Sequence, residues 1–98
     1  MIGEALRLIR VFHDIKLNAL ASDLEISKGY LSEIESSKKQ PKMDLIEKYS
    51  KYFSIPSSTI LFFSEELDKH KGPFEMNFRN KILKFLQAVE NVTIKKNE

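Results

Sequence analysis

The spacing of apolar residues constrains this chain more than any other feature of its sequence. Apolar side chains recur at intervals of three and four residues almost throughout, and no stretch sustains a period of two. A sixth and longer segment with this spacing follows five shorter ones. We predict six helices. The third begins at Ser27, and the other five cover residues 2–13, 17–24, 42–53, 58–66 and 74–92. The pattern therefore predicts an all-α protein.

The polar stretch 65–73 separates the longer C-terminal segment from the other helices. It is rich in charged groups and ends in Gly-Pro, a composition typical of linkers. We therefore expect a helical domain over 1–64, a linker over 65–73, a separate helix over 74–92 and a frayed polar tail over 93–98.

Composition indicates a soluble globular chain. Hydrophobic residues make up 42% of its 98 residues and charged residues 31%, which is too apolar for a disordered protein. The longest apolar run, 60–63, is far too short to cross a bilayer. The first residues lack the basic end and apolar block of a signal peptide. We therefore expect a cytoplasmic protein with no membrane partner.

Motifs for catalysis and cofactor binding are missing from the sequence. Its three glycines are too few for a phosphate-binding loop or a dinucleotide fingerprint. Cysteine is absent, which excludes disulfides and thiolate metal sites. His13 and His70 lie far apart and outside any metal-ligand spacing. We expect no enzymatic activity, no cofactor and no metal.

Residues 20–35 are typical of two short helices joined by a tight turn. Ala21 is small where the two helices must cross closely, and Ile26 fills the turn between them. Leu31 and Ile34 face inward from the second helix. This is what a helix-turn-helix needs, because it projects one helix away from the body of the domain.

Over residues 2–63 the sequence resembles the phage-repressor-type helix-turn-helix domains of the lambda-repressor-like, or Xre, family. The residues that carry the resemblance are Leu20-Ala21, Ile26-Ser27, Tyr30-Leu31-Ser32, Ile34-Glu35, the turn Lys38-Lys39-x-Pro41 and Phe53-x-Ile55. The resemblance implies a five-helix lambda-repressor-like DNA-binding domain, here followed by one longer C-terminal helix. It also implies an ion pair between Arg10 of the first helix and Glu35 at the end of the third.

The sequence departs from the family pattern just after three helices. Family members usually carry glycine at the positions of Asp14, Glu25 and Ser37. If the backbone is left-handed at these positions, each of the three residues makes the fold less stable than glycine would, by about 1 kcal/mol. The glutamine that often begins the second helix and contacts phosphate is Leu17 here, so that contact is expected to be lost.

Lys16 and Lys42 replace the Ser or Thr caps that the family usually has at the starts of the second and fourth helices. A lysine there loses roughly 1 kcal/mol of capping and faces the positive end of the helix dipole. Two interpretations stay open. In the first, the two lysines make the fold less stable but contact phosphates. In the second, neighbours such as Asn18 or Asp44 cap the helices, and the lysines are only tolerated.

The resemblance implies that the helix beginning at Ser27 lies in the major groove of double-stranded DNA. Residues expected to contact base edges are Lys28, Gly29, Ser32 and Glu33. Residues expected to contact phosphates are Lys16, Ser27, Tyr30, Lys38, Lys39 and Lys42. A solvated loop is the alternative interpretation of the lysine run. The acids at Glu25 and Glu33 would repel phosphates unless they are aimed at bases or turned away.

A homodimer is expected because a single domain of this kind reads few base pairs, whereas two copies read a palindrome. Residues 60–63 are apolar around a whole helical turn and cannot all face the core of their own domain. The predicted dimer interface consists of Phe62, Phe63, Phe78, Ile82, Phe85 and Val89. The alternative is that helix 74–92 folds back on its own domain.

The leading hypothesis is a sequence-specific DNA-binding transcriptional regulator that represses from a palindromic operator. The alternative is an antitoxin-like interaction module that binds a partner protein, such as a cognate toxin, through its C-terminal helix. The two are compatible, because antitoxins of this family often bind their own operator.

Overall fold

The computed structural model describes residues 1–69, and these form five α-helices. The helices are α1 (Ile2–Phe12), α2 (Leu17–Asp23), α3 (Lys28–Glu35), α4 (Met43–Phe53) and α5 (Ser57–Lys69). No strand occurs among these residues. The all-α prediction is confirmed, and the predicted helix 74–92 and tail 93–98 lie outside the described residues.

The core is built from one apolar face of each helix. α1 packs against both α3 and α5, while α2 packs against α3 and α4 against α5. The largest completely buried side chains are Tyr49, Leu6, Ile9, Leu20, Leu31, Ile34 and Ile60. Burial of each aliphatic side chain stabilises the fold by roughly 1.5–3 kcal/mol. The intervals of three and four that predicted the helices therefore also identify the residues that hold them together.

The C-terminal end of α5 differs from the prediction. The predicted helix ended at residue 66 and the predicted linker began at residue 65. In the structure α5 continues as far as Lys69. The reason is Leu67, which is buried in the core one helical turn beyond Phe63 and Ser64. The same turn also makes two ion pairs, one between the N-terminal ammonium group of Met1 and Asp68 and one between Lys69 and Glu66. The predicted end of the fifth helix is therefore corrected, and residues 65–69 form helix in place of the predicted linker. The limits of the domain stay a prediction.

The apolar run 60–63 divides between core and surface. Ile60 and Phe63 are buried, whereas Leu61 and Phe62 lie on the surface, with Phe62 51% exposed. This confirms that the four side chains do not all face the core. It also corrects the assignment of Phe63 to a dimer interface, because its side chain is only 3% exposed within its own domain.

Four of the helices are followed by a residue with a left-handed backbone conformation. Asp14, Glu25 and Ser37 have φ values of 56°, 60° and 67°, as the family pattern of glycines predicted. Ser54, with φ 56°, ends α4 in the same way and was not predicted. Each of these residues has a backbone conformation that is less stable with a side chain than with glycine, by about 1 kcal/mol per residue.

In the part of the chain that the structure describes, no helix is both long and apolar enough to cross a membrane.

Candidate nucleic-acid interface

The helix-turn-helix is formed by α2 and α3. Ala21 is buried where the two helices meet, and its carbonyl oxygen accepts a hydrogen bond of 3.0 Å from the backbone N–H of Ile26. α3 begins after Ser27, whose hydroxyl oxygen accepts a 3.1 Å bond from the backbone N–H of Tyr30. The predicted turn is confirmed, and Ser27 caps the helix that was predicted to begin at this residue.

The exposed face of α3 contains the four residues predicted to contact bases. Lys28, Gly29 and Ser32 are exposed, and Glu33 is partly exposed. Their positions are one, two, five and six of the helix, and this spacing places them on one side. A Cβ atom added to Gly29 would meet nothing within 4 Å, so no packing constraint explains a glycine there. The structure thus brings these four residues together on a surface that the core does not use.

The predicted phosphate-contacting lysines lie at the starts of two helices and after α3. Lys16 and Lys42 are the N-cap residues of α2 and α4, and neither side chain makes a capping hydrogen bond. Lys38 and Lys39 follow α3 directly, and all four lysines are exposed. The predicted cap positions are confirmed, and the solvated-loop interpretation stays open for the free protein.

At the start of α4, the neighbour of the lysine takes over part of the capping. The Asp44 carboxylate accepts a 2.9 Å hydrogen bond from the backbone N–H of Leu45. This bond supports the second interpretation of Lys42, in which a neighbour compensates for the missing Ser or Thr.

Arg10 and Glu35 form the ion pair that the resemblance implied. The Nε group of Arg10 donates to both carboxylate oxygens of Glu35, at 3.0 and 2.9 Å, and Nη1 donates to the carbonyl oxygen of Ile15 at 2.8 Å. The side chains are 14% and 4% exposed, respectively. The pair therefore ties the end of α3 to α1 in a largely buried setting.

Tyr49 completes this network from α4, a role that the sequence did not indicate. Its buried hydroxyl donates a 2.8 Å hydrogen bond to Oε2 of Glu35. Burial, and then the neighbouring Glu35 carboxylate, raise the pKa of Tyr49 far above its ordinary value. The hydroxyl therefore stays protonated and remains a donor. The apolar spacing of α4 places Tyr49 in the core, but it does not reveal the partner of its hydroxyl.

A second set of contacts joins α4 to the end of α2. The ammonium group of Lys48 donates to the carbonyl oxygen of Leu24 at 3.0 Å, and the hydroxyl of Tyr52 donates to Oδ2 of Asp23 at 2.7 Å. The hydrogen bond to Asp23 raises the pKa of Tyr52. These contacts were not predicted, and they hold the end of α2 just before the left-handed Glu25.

His13, the histidine within the described residues, makes contacts with its own helix and with α4. The Nδ1 atom of His13 lies 2.7 Å from the carbonyl oxygen of Ile9, so this nitrogen carries the proton of a hydrogen bond. The centre of its ring lies 4.8 Å from the centre of the Phe53 ring. Across residues 1–69, no group of His, Asp and Glu side chains is arranged to hold a metal ion.

The fold and this surface define a helix-turn-helix protein. The family model described as Helix-turn-helix matches residues 6–60, more than half of the chain, and the chain belongs to this family. It is also similar to the transcriptional regulator ClgR of Mycobacterium tuberculosis, in strains CDC 1551 / Oshkosh and ATCC 25618 / H37Rv. Each relative is 30% identical over 66 residues, which are 67% of this chain and 59% of the relative.

The match therefore spans about three-fifths of the length of these curated relatives. No solved structure gives a significant match to the chain. The predicted contacts with bases and phosphates stay predictions. The predicted interface residues Phe78, Ile82, Phe85 and Val89 lie outside the described residues.

Proposed function

We propose that this protein is a sequence-specific DNA-binding transcriptional regulator that acts in the cytoplasm. The observation that carries the proposal is the exposed face of α3, where Lys28, Gly29, Ser32 and Glu33 lie together without a role in the core. Membership of the helix-turn-helix family supports it. So does the similarity to ClgR, which is named a transcriptional regulator.

In this proposal the N-terminal turn of α3 enters the major groove. Lys28 donates to O6 or N7 of guanine, and Glu33 accepts from N4 of cytosine. Gly29 has no side chain and allows the helix backbone to approach the bases closely. Ser32 bonds to a base or to a phosphate. The buried network of Arg10, Glu35 and Tyr49 keeps this face of α3 in a fixed orientation.

Phosphate contacts on either side of α3 supply most of the affinity. They come from the lysines that begin α2 and α4 and from those that follow α3, together with the hydroxyls of Ser27 and Tyr30. The proposed phosphate-contacting residues are Lys16, Ser27, Tyr30, Lys38, Lys39 and Lys42. Each true phosphate contact adds about one unit to the slope of log affinity against log salt.

The proposal includes a homodimer that represses by occupying a palindromic operator. Two copies one helical turn apart, about 34 Å, read the two half-sites. The exposed ring of Phe62 on α5 and the apolar stripe of helix 74–92 form the proposed interface. This stripe consists of Phe78, Ile82, Phe85 and Val89.

Selection of random duplexes with the full chain at low salt, followed by sequencing, tests the proposal. We expect enrichment of a palindromic site and a dimeric mass in solution. Replacement of Phe85 by Asp is expected to halve that mass and weaken binding to the full palindrome. An unenriched pool would contradict sequence-specific binding, and a monomeric wild-type chain would contradict the dimer alone.

A further inference from the structure

The turn after α3 is built on the backbone of Glu33. The left-handed backbone of Ser37 reverses the chain directly after the helix. The carbonyl oxygen of Glu33 then accepts hydrogen bonds from the backbone N–H groups of Lys38 at 2.9 Å and Lys39 at 3.2 Å. It also accepts a 3.3 Å bond from the hydroxyl of Ser36. These bonds bring the backbone of Lys39 next to α3.

The side chain of Lys39 lies back over α3. Its ammonium nitrogen is 3.6 Å from Oε1 of Glu33 and 5.8 Å from the centre of the Tyr30 ring. Tyr30 and Glu33 are three residues apart and therefore share one side of the helix. The ammonium thus has both an ion-pair partner and an aromatic ring on the helix that carries the candidate base contacts.

Glu33 needs such a partner if α3 is to enter a groove lined by phosphates. A carboxylate there is repelled by the phosphates, unless a base amino group donates to it and a nearby cation offsets its charge. In water an exposed ion pair contributes only about 0–1 kcal/mol to the free energy of unfolding. The same pair becomes stronger at an interface from which water is excluded, because the local dielectric constant is lower.

We propose that Lys39 determines base specificity through Glu33. Lys39 holds the carboxylate in place and offsets its charge, so that Glu33 accepts a hydrogen bond from the amino group of cytosine in the major groove. This inference rests on the proposed function and deepens it. It moves Lys39 from the phosphate contacts proposed above to a positioning role, because its ammonium group lies beside Glu33 and Tyr30. Its neighbour Lys38 remains a phosphate contact.

The test compares full-chain variants on the selected duplex and on duplexes with single base-pair changes. The variants are Lys39→Met, Lys39→Arg, Glu33→Gln, the double variant Lys39→Met/Glu33→Gln, and the matched control Lys38→Met. All of these positions are exposed or partly exposed, so the variants are expected to fold. Thermal unfolding checks this before binding is measured.

We expect Glu33→Gln to relax the preference at one base pair, and Lys39→Met to reduce the same preference by roughly fivefold or more. Lys39→Arg should retain it. In the Glu33→Gln background, removal of Lys39 should change the preference by less than about twofold, because the two residues act as a unit. Lys38→Met should weaken binding to all duplexes alike and lower the salt slope by about one unit.

The inference is overturned if Lys39→Met behaves like Lys38→Met, with uniformly weaker binding and an unchanged base preference. In that case the wild-type chain still selects its site and the proposed function stands. A wild-type chain that prefers no duplex overturns the proposed function, and the inference with it. The two failures are therefore distinguished by the wild-type measurement.

Discussion

Gly3 of α1 lies against the backbone of Ile34 in α3, so closely that a Cβ atom on Gly3 would collide with the Ile34 carbonyl oxygen. The same Cβ would be 3.1 Å from the hydroxyl oxygen of Ser37, which lies in the turn after α3. The absence of a side chain at Gly3 therefore lets α1 contact the last turn of the helix that carries the candidate base contacts. Nothing in the helical spacing of α1 indicates this approach.

Replacement of Gly3 by Ala is expected to destabilise the protein by about 1–3 kcal/mol, because a backbone oxygen cannot move aside as a flexible side chain can. The matched control is Gly29→Ala in α3, where the added Cβ has open space. That change should stabilise the helix by about 0.5–1 kcal/mol. Urea unfolding measures both, and an equal gain from the two substitutions would show that α1 and α3 are farther apart than described.

Replacement of Arg10 by Met is expected to destabilise the protein by about 3–5 kcal/mol, because it leaves the carboxylate of Glu35 buried without its cation. The double variant Arg10→Met/Glu35→Gln removes that charge and keeps an acceptor for the hydroxyl of Tyr49. It should therefore be more stable than Arg10→Met alone. Chemical unfolding followed by circular dichroism compares the variants. If the double variant were the less stable one, the buried charge would not explain the loss.

The raised pKa of Tyr49 predicts a loss of stability in alkali. Below its ordinary pKa of 10.0 the hydroxyl is protonated in both states, and its contribution to stability is fully present. Above that pH the unfolded chain releases the proton while the folded protein retains it. The free energy of unfolding should then fall by up to about 1.4 kcal/mol per pH unit from this group.

Urea unfolding of the wild-type chain and of Tyr49→Phe, between about pH 9 and pH 11, isolates this contribution. Other lysines and tyrosines titrate in both proteins and cancel in the difference. The stability advantage of the wild type should shrink as the pH rises. A difference that stays constant over this range would contradict the buried, protonated hydroxyl.

Replacement of Lys16 or Lys42 by Ser is expected to stabilise the protein by up to about 1 kcal/mol, since each change restores a capping side chain. The gain should be larger at Lys16, because Asp44 already accepts a hydrogen bond at the start of α4. Both changes should weaken DNA binding and flatten its salt dependence. Thermal unfolding and anisotropy titrations at several salt concentrations measure these effects. Unchanged DNA affinity would favour the interpretation that the two lysines are only tolerated.

The helices and the turn could be predicted because their signals are local. Apolar spacing depends on residues three and four apart, and the Ser27 cap depends on the next few residues. The pair of Arg10 and Glu35 joins residues 25 positions apart, and it was accessible only through the family resemblance.

The unpredicted features depend on distances between helices. The hydroxyl of Tyr49 meets Glu35, and Lys48 meets the end of α2, only after α4 has packed. The helical continuation to Lys69 was missed for a related reason, because Leu67 is a single apolar residue whose burial depends on the neighbouring helices. Spacing within one segment carries no information about such contacts.

The central claim is that the exposed face of α3 reads base edges in the major groove. The most direct test is the affinity of the full chain for its selected duplex with guanines replaced, one at a time, by 7-deazaguanine or by 6-thioguanine. The first lacks the major-groove N7 acceptor, and the sulfur of the second is a weaker acceptor than O6. We expect one replacement in each half-site to weaken binding about tenfold. The same replacement should have no further effect on Lys28→Met. Equal affinity for every substituted duplex, or an undiminished effect in Lys28→Met, would contradict the account.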